Sequence, residues 1–423
     1  MIKNNRQRMT NTKPELMAPA GNKTMLTAVV NAGADAVYFG VEKLNMRAKA
    51  SNFRTDNLLE LTSLCKERDV KTYLTLNTII YEEELPQLRE IVLKAKEAGV
   101  DRIICWDFSV VQLCKELEMP FCISTQGSVS NSLAAGFYKD LGAERIVLAR
   151  ECTLEDIKKV RAFTDLEIEV FIHGAMCIAV SGRCFMSHHL FDKSANRGEC
   201  IQPCRREYEV YDPTIGKSMI VGEDYILSPE DLCTIGFIDQ LIEAGIDSFK
   251  IEGRKRSPEY AAAVTAAYRK AIDLYYEGKL TQEIKTELLK ELEKVFNRGF
   301  STGFYFDTPG SEEYAGIYGS RANTRKEFLG RVVNYYKQAG VVYISIETGI
   351  LREGDEIYII GETTGVVRIK VDNILQEDNN KVQSASKGEK VTFSCAELVR
   401  PRDAVYIIKQ VQVKKADHLQ FSS

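Results

Sequence analysis

The 423-residue sequence has no apolar run approaching the ~20 residues that a membrane-spanning helix needs, so no membrane span is expected. It is poor in histidine. His173, His188, His189 and His418 are the only four, which leaves little material for chemistry that needs several imidazoles. No His-Glu-x-x-His motif occurs, so the usual zinc-protease reading fails. Strong charge of either sign is also missing: 56 Lys+Arg stand against 60 Asp+Glu, a net charge of −4. That excludes a chain held to nucleic acid by bulk charge, but not a local basic patch. Residues 1–13 are polar and lack the apolar core of a signal peptide. We therefore expect a disordered N-terminal segment (1–13) and a cytoplasmic protein. In that reducing compartment the eleven cysteines should be thiols or metal ligands, not disulfides.

What is present is ordinary for a soluble globular chain: 44% hydrophobic and 27% charged residues, enough to bury a sizeable core. At roughly 150 residues per domain the length suits two or three domains, or one large barrel with a smaller module. From Pro14 to about Lys279 short apolar runs alternate with amphipathic stretches. Eight strands are expected: Leu16–Ala18, Ala36–Phe39, Thr72–Leu76, Ile103–Trp106, Phe121–Ser124, Ile146–Leu148, Ile168–Ile172 and Ser248–Ile251. Between them, stretches such as Glu84–Ala98 place apolar residues on one helical face. Eight strand-then-helix units predict an α/β fold, a (β/α)8 TIM-like barrel over residues 14–310, with a doubly wound open sheet as the alternative. The phrases Asn31-Ala-Gly-Ala-Asp35, Glu97-Ala-Gly-Val-Asp101 and Glu243-Ala-Gly-Ile-Asp247 each read as a helix end followed by a strand. A charged helix, 282–297, and a Gly/Ser/Tyr-rich connector, 299–323, should follow. Residues 325–410 change to short alternating strands, read as a small β-barrel domain.

One unit departs from the pattern. Residues 174–228 form a long insertion after strand seven, on the face where barrels carry their active sites. It holds Cys177, Cys184, Cys200 and Cys204, and Cys233 follows. Thiols at this density suit a soft metal or an iron–sulfur cluster. Structural zinc sites usually show two C-x2–4-C pairs, and only Cys200-x3-Cys204 has that form. The remaining six cysteines read as small buried residues.

Glu169-Val-Phe-Ile-His-Gly-Ala-Met-Cys177-Ile-Ala-Val-Ser-Gly-Arg-Cys184-Phe-Met-Ser187 resembles the signature of the U32 peptidase, or collagenase-like, family at every fixed position. Glu15–Gly21, Asp35–Gly40 and Lys250-Ile-Glu-Gly-Arg254 resemble its opening and closing barrel motifs. The β module resembles the family's C-terminal extension, and the whole is most similar to the branch that hydroxylates tRNA. That resemblance implies a [4Fe–4S] cluster and oxygen-independent hydroxylation of the wobble uridine of tRNA to 5-hydroxyuridine, with prephenate as co-substrate. A cytidine of large-subunit ribosomal RNA is the alternative substrate. It also implies Cys177, Cys184, Cys200 and Cys233 as cluster ligands, with Cys204 as an alternative ligand, and a paralogous partner protein. The family name leaves a U32-type peptidase as a further reading. A non-catalytic RNA scaffold with structural zinc is the third.

Strand ends supply the other candidates. Asn77, Asp107, Gln126, Arg150, Glu151, His173, Lys250, Glu252 and Arg254 should face the barrel mouth. His173 is a candidate general acid/base or a hydrogen-bond partner of a cluster sulfur. Arg150 and Arg254 could grip two carboxylates, as on prephenate. Glu151, Lys250 and Glu252 join them as catalytic candidates; Asn77, Gln126 and Arg183 are candidates for cofactor binding. Gly299-Phe-Ser-Thr-Gly303 matches G-x-S-x-G but follows a helix, whereas a nucleophile elbow needs a strand before it. Pairing Cys177 with His173 as a cysteine protease gives doubtful attack geometry. Two basic clusters, Lys250/Arg254/Lys255/Arg256 and Arg321/Arg325/Lys326/Arg331, the second near Tyr314, Tyr318, Tyr335 and Tyr336, are candidate RNA-contacting surfaces. Arg205 and Arg206 are a lone basic pair.

Overall fold

A computed structural model describes residues 12–47, 52–206, 208–221, 227–310, 313–315 and 319–411. Eight parallel strands close into a barrel: β1 (Glu15–Pro19), β2 (Ala36–Phe39), β3 (Lys71–Leu76), β4 (Arg102–Cys105), β5 (Phe121–Ile123), β6 (Arg145–Val147), β7 (Glu167–Ala175) and β8 (Ser248–Ile251). The order is sequential, and β8 pairs with both β7 and β1, so no edge remains. All eight expected strands are present. The strands are apolar and mostly buried on both sides, as an all-parallel sheet under helices requires. Helices from Lys23–Asn31 to Pro258–Tyr276 form the outer layer.

The repeated Ala-Gly-x-Asp phrase has a definite job. Its glycines, Gly33, Gly99 and Gly245, sit at φ +91°, +73° and +73°, in the left-handed turn that ends each helix. Its aspartates then bind the neighbouring strand. Asp35 accepts the Leu16 N–H at 2.8 Å, Asp101 that of Thr72 at 2.7 Å, and Asp247 that of Ile168 at 2.7 Å. Each carboxylate thereby pins the start of one strand to the start of the next and fixes the register.

The barrel interior is not wholly apolar. Glu169 of β7 lies between Lys250 of β8, at 2.7 Å, and Arg145 of β6, at 3.0 Å. Arg145 continues to Glu15 at 2.6 Å. This column of paired charges runs beside Met17, Tyr38, Tyr73 and Ile104.

After β7 the chain makes the expected insertion of short helical turns, one helix (Met186–Phe191) and a two-stranded ribbon, Tyr208–Asp212 with Lys217–Val221. It returns as a short strand, Asp231–Cys233, antiparallel to the end of β7. Phe300–Ser301, within the G-x-S-x-G match, pairs beside that strand and forms no nucleophile elbow. The charged helix spans Gln282–Leu292 rather than reaching 297; a turn follows. The C-terminal module is antiparallel β as expected, a seven-stranded sheet and a two-stranded ribbon (Ile350–Arg352 with Ser384–Ser386) around an apolar core of Leu329, Val342, Ile344, Ile357 and Val405. Among the described residues its first and last strands in sheet order, Gly365–Lys370 and Leu375–Gln376, are not paired with each other, so the sheet is open.

The module packs on the outer helices. Thr27 Oγ1 donates to the Glu362 carbonyl at 2.7 Å, Lys326 pairs with Glu259 at 2.8 Å, and Arg368 with Glu291 at 3.1 Å. Of the segment 1–13, residues 1–11 lie outside the described residues, while Lys13 pairs with Asp273 at 3.0 Å. Among the described residues no helix is long and apolar enough to cross a membrane.

Candidate active site

The C-terminal ends of the barrel strands and the insertion enclose one cavity of about 150 Å³. Its barrel side is made by Tyr38, Thr75, Asn77, Gln126, Arg150, Phe171, Lys250, Glu252 and Arg254. Cys177, Cys184, Cys200 and Cys204 make its insertion side. Strand-end reasoning thus holds for Asn77, Gln126, Arg150, Lys250, Glu252 and Arg254. Glu151 is half-buried beside Cys152 and does not line the cavity. Asp107 caps the next helix by accepting the Ser109 N–H at 2.9 Å. Arg183 is a clamp rather than a lining residue. Its guanidinium lies 4.7 Å from the Trp106 ring centre and donates to the Gln126 carbonyl, fastening the insertion to the barrel.

His173 is not at the cavity. Its Nδ1 lies 3.3 Å from Tyr268 Oη on the outer helix, and its ring packs against Tyr260 and Phe300. A register shift between Lys250 and Ile251, opposite Phe171 and His173, explains the misplacement. A one-residue slip sends a side chain to the other face of a strand. Burial pushes the imidazole down to about 3, with Arg256 adding to the effect, so it stays neutral. Cys233 shares this fate. It lies opposite His173 in the antiparallel pair, buried, with Sγ 3.8 Å from Tyr268 Oη. The cavity thiols are Cys177, Cys184, Cys200 and Cys204, and Cys233 is not among them.

Three of those four thiols accept a backbone N–H from the residue two positions on: Ala179 to Cys177 at 3.4 Å, Met186 to Cys184 at 3.3 Å, and Gln202 to Cys200 at 3.4 Å. Ser187 Oγ adds a contact to Cys200 at 3.8 Å. Burial pushes the Cys204 thiol up to about 11, against the pull of Arg205. Among the described residues no three His, Cys, Asp or Glu side chains close tightly enough to hold a single metal ion.

The cations divide into two kinds. Lys250 is neutralised by Glu169, and Arg47 by Glu252 at 3.0 Å. Burial pushes the Glu252 carboxyl up, but Arg47, Arg256 and Arg150 outweigh it and hold the group below its ordinary value. Arg150 and Arg254 have no ion-pair partner among the described residues. Arg254 donates to Thr75 Oγ1 at 2.8 Å and Asn45 Oδ1 at 3.3 Å. Arg150 lies 4.0 Å over the Phe171 ring, donates to the Ala175 carbonyl at 3.2 Å, and leaves its Nε without a hydrogen-bond partner. Burial pulls both guanidiniums down, Arg254 to about 10. Two guanidiniums outside any ion pair, Arg254 buried and Arg150 half-buried, thus face one cavity, a chemistry suited to anionic groups.

Sequence reasoning missed Arg47 and Arg205. Arg47 lies in a loop and Arg205 in a single 3-10 turn, too short for periodicity to report direction. Arg205 is buried and binds Ser228 Oγ and the Met176 carbonyl, each at 2.7 Å, which holds the insertion closed. The two basic clusters are not free patches. Arg256 is packed 3.8 Å over Phe296, and Lys250 and Arg254 are buried. Arg321, Arg325, Lys326 and Arg331 each face a carboxylate: Glu230, Glu327, Glu259 and Glu347. Tyr318 lies outside the described residues.

Residues 21–315 match the model of peptidase family U32. The chain is 40% identical to a protein named collagenase from Porphyromonas gingivalis, over 93% of this chain and 97% of that one. It is 38% identical to tRNA hydroxylation protein P1 of Bacillus subtilis, over 90% of this chain and 91% of that one. A 23S rRNA 5-hydroxycytidine synthase of Escherichia coli is 37% identical over 69% of this chain and 45% of that one. The chain belongs to peptidase family U32.

Proposed function

We propose that this chain hydroxylates the wobble uridine of tRNA without oxygen, using a [4Fe–4S] cluster and a prephenate-linked hydroxyl donor. The observation that carries the reading is the pairing, in one cavity, of four thiols with two guanidiniums, buried Arg254 and half-buried Arg150, that form no ion pair. Cys177, Cys184, Cys200 and Cys204 are the proposed ligands. Three of them, Cys177, Cys184 and Cys200, already accept backbone N–H groups, and four thiols lining one cavity match the ligand number of such a cluster. When bound, such a cluster supplies redox chemistry and braces the insertion over the barrel. Arg150 and Arg254 then hold the two carboxylates of the co-substrate, and Lys250, fixed by Glu169, presents an ammonium from the cavity floor. Arg183 and Arg205 keep the insertion closed against water.

Likeness to the tRNA hydroxylation protein along nearly its whole length favours tRNA over ribosomal RNA. The peptidase reading lacks a Cys177–His173 dyad, because His173 is engaged with Tyr268 behind the strand. The test is nucleoside mass spectrometry of RNA from cells lacking the gene, complemented with wild type, Cys204→Ala or Cys233→Ala. Wild type should restore 5-hydroxyuridine-derived nucleosides in tRNA. Cys204→Ala should fail with loss of bound iron, and Cys233→Ala should succeed. Restoration of a ribosomal hydroxycytidine instead would move the substrate. No change in either RNA would end the reading.

A further inference from the structure

We infer that the rim of the cavity is a stacking platform for the single-stranded loop of an RNA, made by the insertion and the ends of β3 and β4. The inference rests on the RNA reading above and locates where the polynucleotide lies. An enzyme that modifies a base must draw it out of its stack, which leaves the flanking bases in need of new partners. Exposed aromatic faces and guanidinium planes supply them.

Phe185 follows the cavity thiol Cys184 and is 77% exposed. Phe108, just past the end of β4, is 58% exposed, and Tyr81, past the end of β3, is 50% exposed. Single exposed aromatics are unremarkable, but these three stand on the one face where the strands open into the cavity. Guanidiniums interleave with the rings of that face: Arg183 over Trp106 at 4.7 Å, Arg197 over Tyr81 at 4.9 Å and Arg206 over Phe191 at 4.5 Å. The insertion from Gly174 to Arg206 carries five Lys/Arg against two acids; Arg197 pairs with Glu84 and Arg205 is buried, which leaves Arg183, Lys193 and Arg206 to meet a polyanion. The C-terminal module is a poorer platform: none of its residues lines the cavity, and Arg325, Lys326 and Arg331 face carboxylates.

The experiment uses the full-length, metal-loaded protein, a hairpin RNA with a seven-nucleotide loop, and a fully paired duplex of equal length. Trp106 is the only tryptophan, so its emission reports on the rim directly. The hairpin should bind, change Trp106 emission and outcompete the duplex. Phe108→Ala/Phe185→Ala should weaken hairpin binding tenfold or more, since stacking is strong for each base lost, with iron content and urea midpoint unchanged. Hairpin affinity within twofold of wild type in that variant overturns the platform and leaves the hydroxylation reading intact. Failure of the wild type to bind the hairpin overturns it as well. Self-association that the variant abolishes, with RNA affinity unchanged, assigns the rim to a second copy of the chain instead. Rim-dependent hairpin binding without any hydroxylated nucleoside in cells supports the platform while sinking the reaction.

Discussion

Replacing Glu169 with glutamine keeps its shape and removes one charge from the middle of the barrel. The carboxylate is 1% exposed and accepts from Lys250 at 2.7 Å, Arg145 at 3.0 Å and Ser248 Oγ at 3.3 Å. The two cations do not suffer equally. Arg145 retains Glu15 and Glu167, each at 2.6 Å, whereas Lys250 retains no carboxylate among the described residues. Stripping one partner from a buried ion pair costs about 3–5 kcal/mol. The stranded lysine has one escape, loss of its proton. For an ordinary lysine at pH 7 that costs about 4.6 kcal/mol, which caps the effect. Destabilisation of about 3–4 kcal/mol is therefore expected, read as the urea unfolding free energy at pH 7. The sign of its pH dependence follows. The folded variant binds fewer protons at this lysine than the unfolded chain, so its stability rises with pH and the gap to wild type narrows by pH 9.5. Glu169→Gln/Lys250→Met should recover much of the loss. A gap below about 1 kcal/mol at pH 7, or one that does not narrow with pH, would refute the reasoning.

Three further outcomes are expected. His173, held near 3 by burial against an ordinary 6.5, is neutral when folded, so its contribution is intact above pH 6.5 and drains away as the pH falls toward 3. His173→Phe should flatten the fall in Tm between pH 6.5 and 4.5, and parallel Tm curves would contradict that. Gly365 sits at φ +72°, and a Cβ there would come within 2.9 Å of the Ala28 backbone. Gly365→Ala should loosen the module from the barrel at a cost of about 1–3 kcal/mol, seen as faster release of a barrel fragment in limited proteolysis; an unchanged digest would count against it. Arg254→Met removes a buried cation that has no ion-pair partner, so Tm should hold or rise while the proposed hydroxylation falls tenfold or more through a higher KM for the proposed carboxylate co-substrate. Lost stability at unchanged KM would give Arg254 a structural role instead.

Most of the barrel is legible because its strands are buried on both faces. They read as compact apolar runs, and the Ala-Gly-x-Asp phrase marks where three of them begin. The short strands Asp231–Cys233 and Phe300–Ser301 are not legible. Two or three residues carry no period; Asp231–Cys233 owes its conformation to the end of β7, and Phe300–Ser301 to Asp231–Cys233. The same blindness decides the fourth thiol. Spacing treats Cys204 and Cys233 alike, whereas the antiparallel return at Asp231 carries Cys233 behind the strand. His173 fails for a related reason, since alternation along β7 points it inward until the register shift beside Ile251 turns it out.

The cations of the site show what strand ends can and cannot tell. Lys250 lies within β8, Arg150 and Arg254 lie just past the ends of β6 and β8, and all three reach the cavity, yet they differ in what they can do. Lys250 has Glu169, two positions along the neighbouring strand's inward face from Phe171, and such pairing needs the closed barrel to be seen. Arg150 and Arg254 lie close to acidic neighbours in sequence, Glu151 and Glu252, which invites an ion pair for each. The fold refuses both. Glu151 stays off the cavity, and Glu252 is claimed by Arg47 from the loop after β2. A fold that pairs Lys250, Arg145 and Arg47 with carboxylates but leaves Arg254 and half-buried Arg150 outside any ion pair holds them against their own desolvation. An anion entering the cavity would recover that cost, so on the proposed reading the unpaired arginines, rather than the paired lysine, are where the substrate's charge goes.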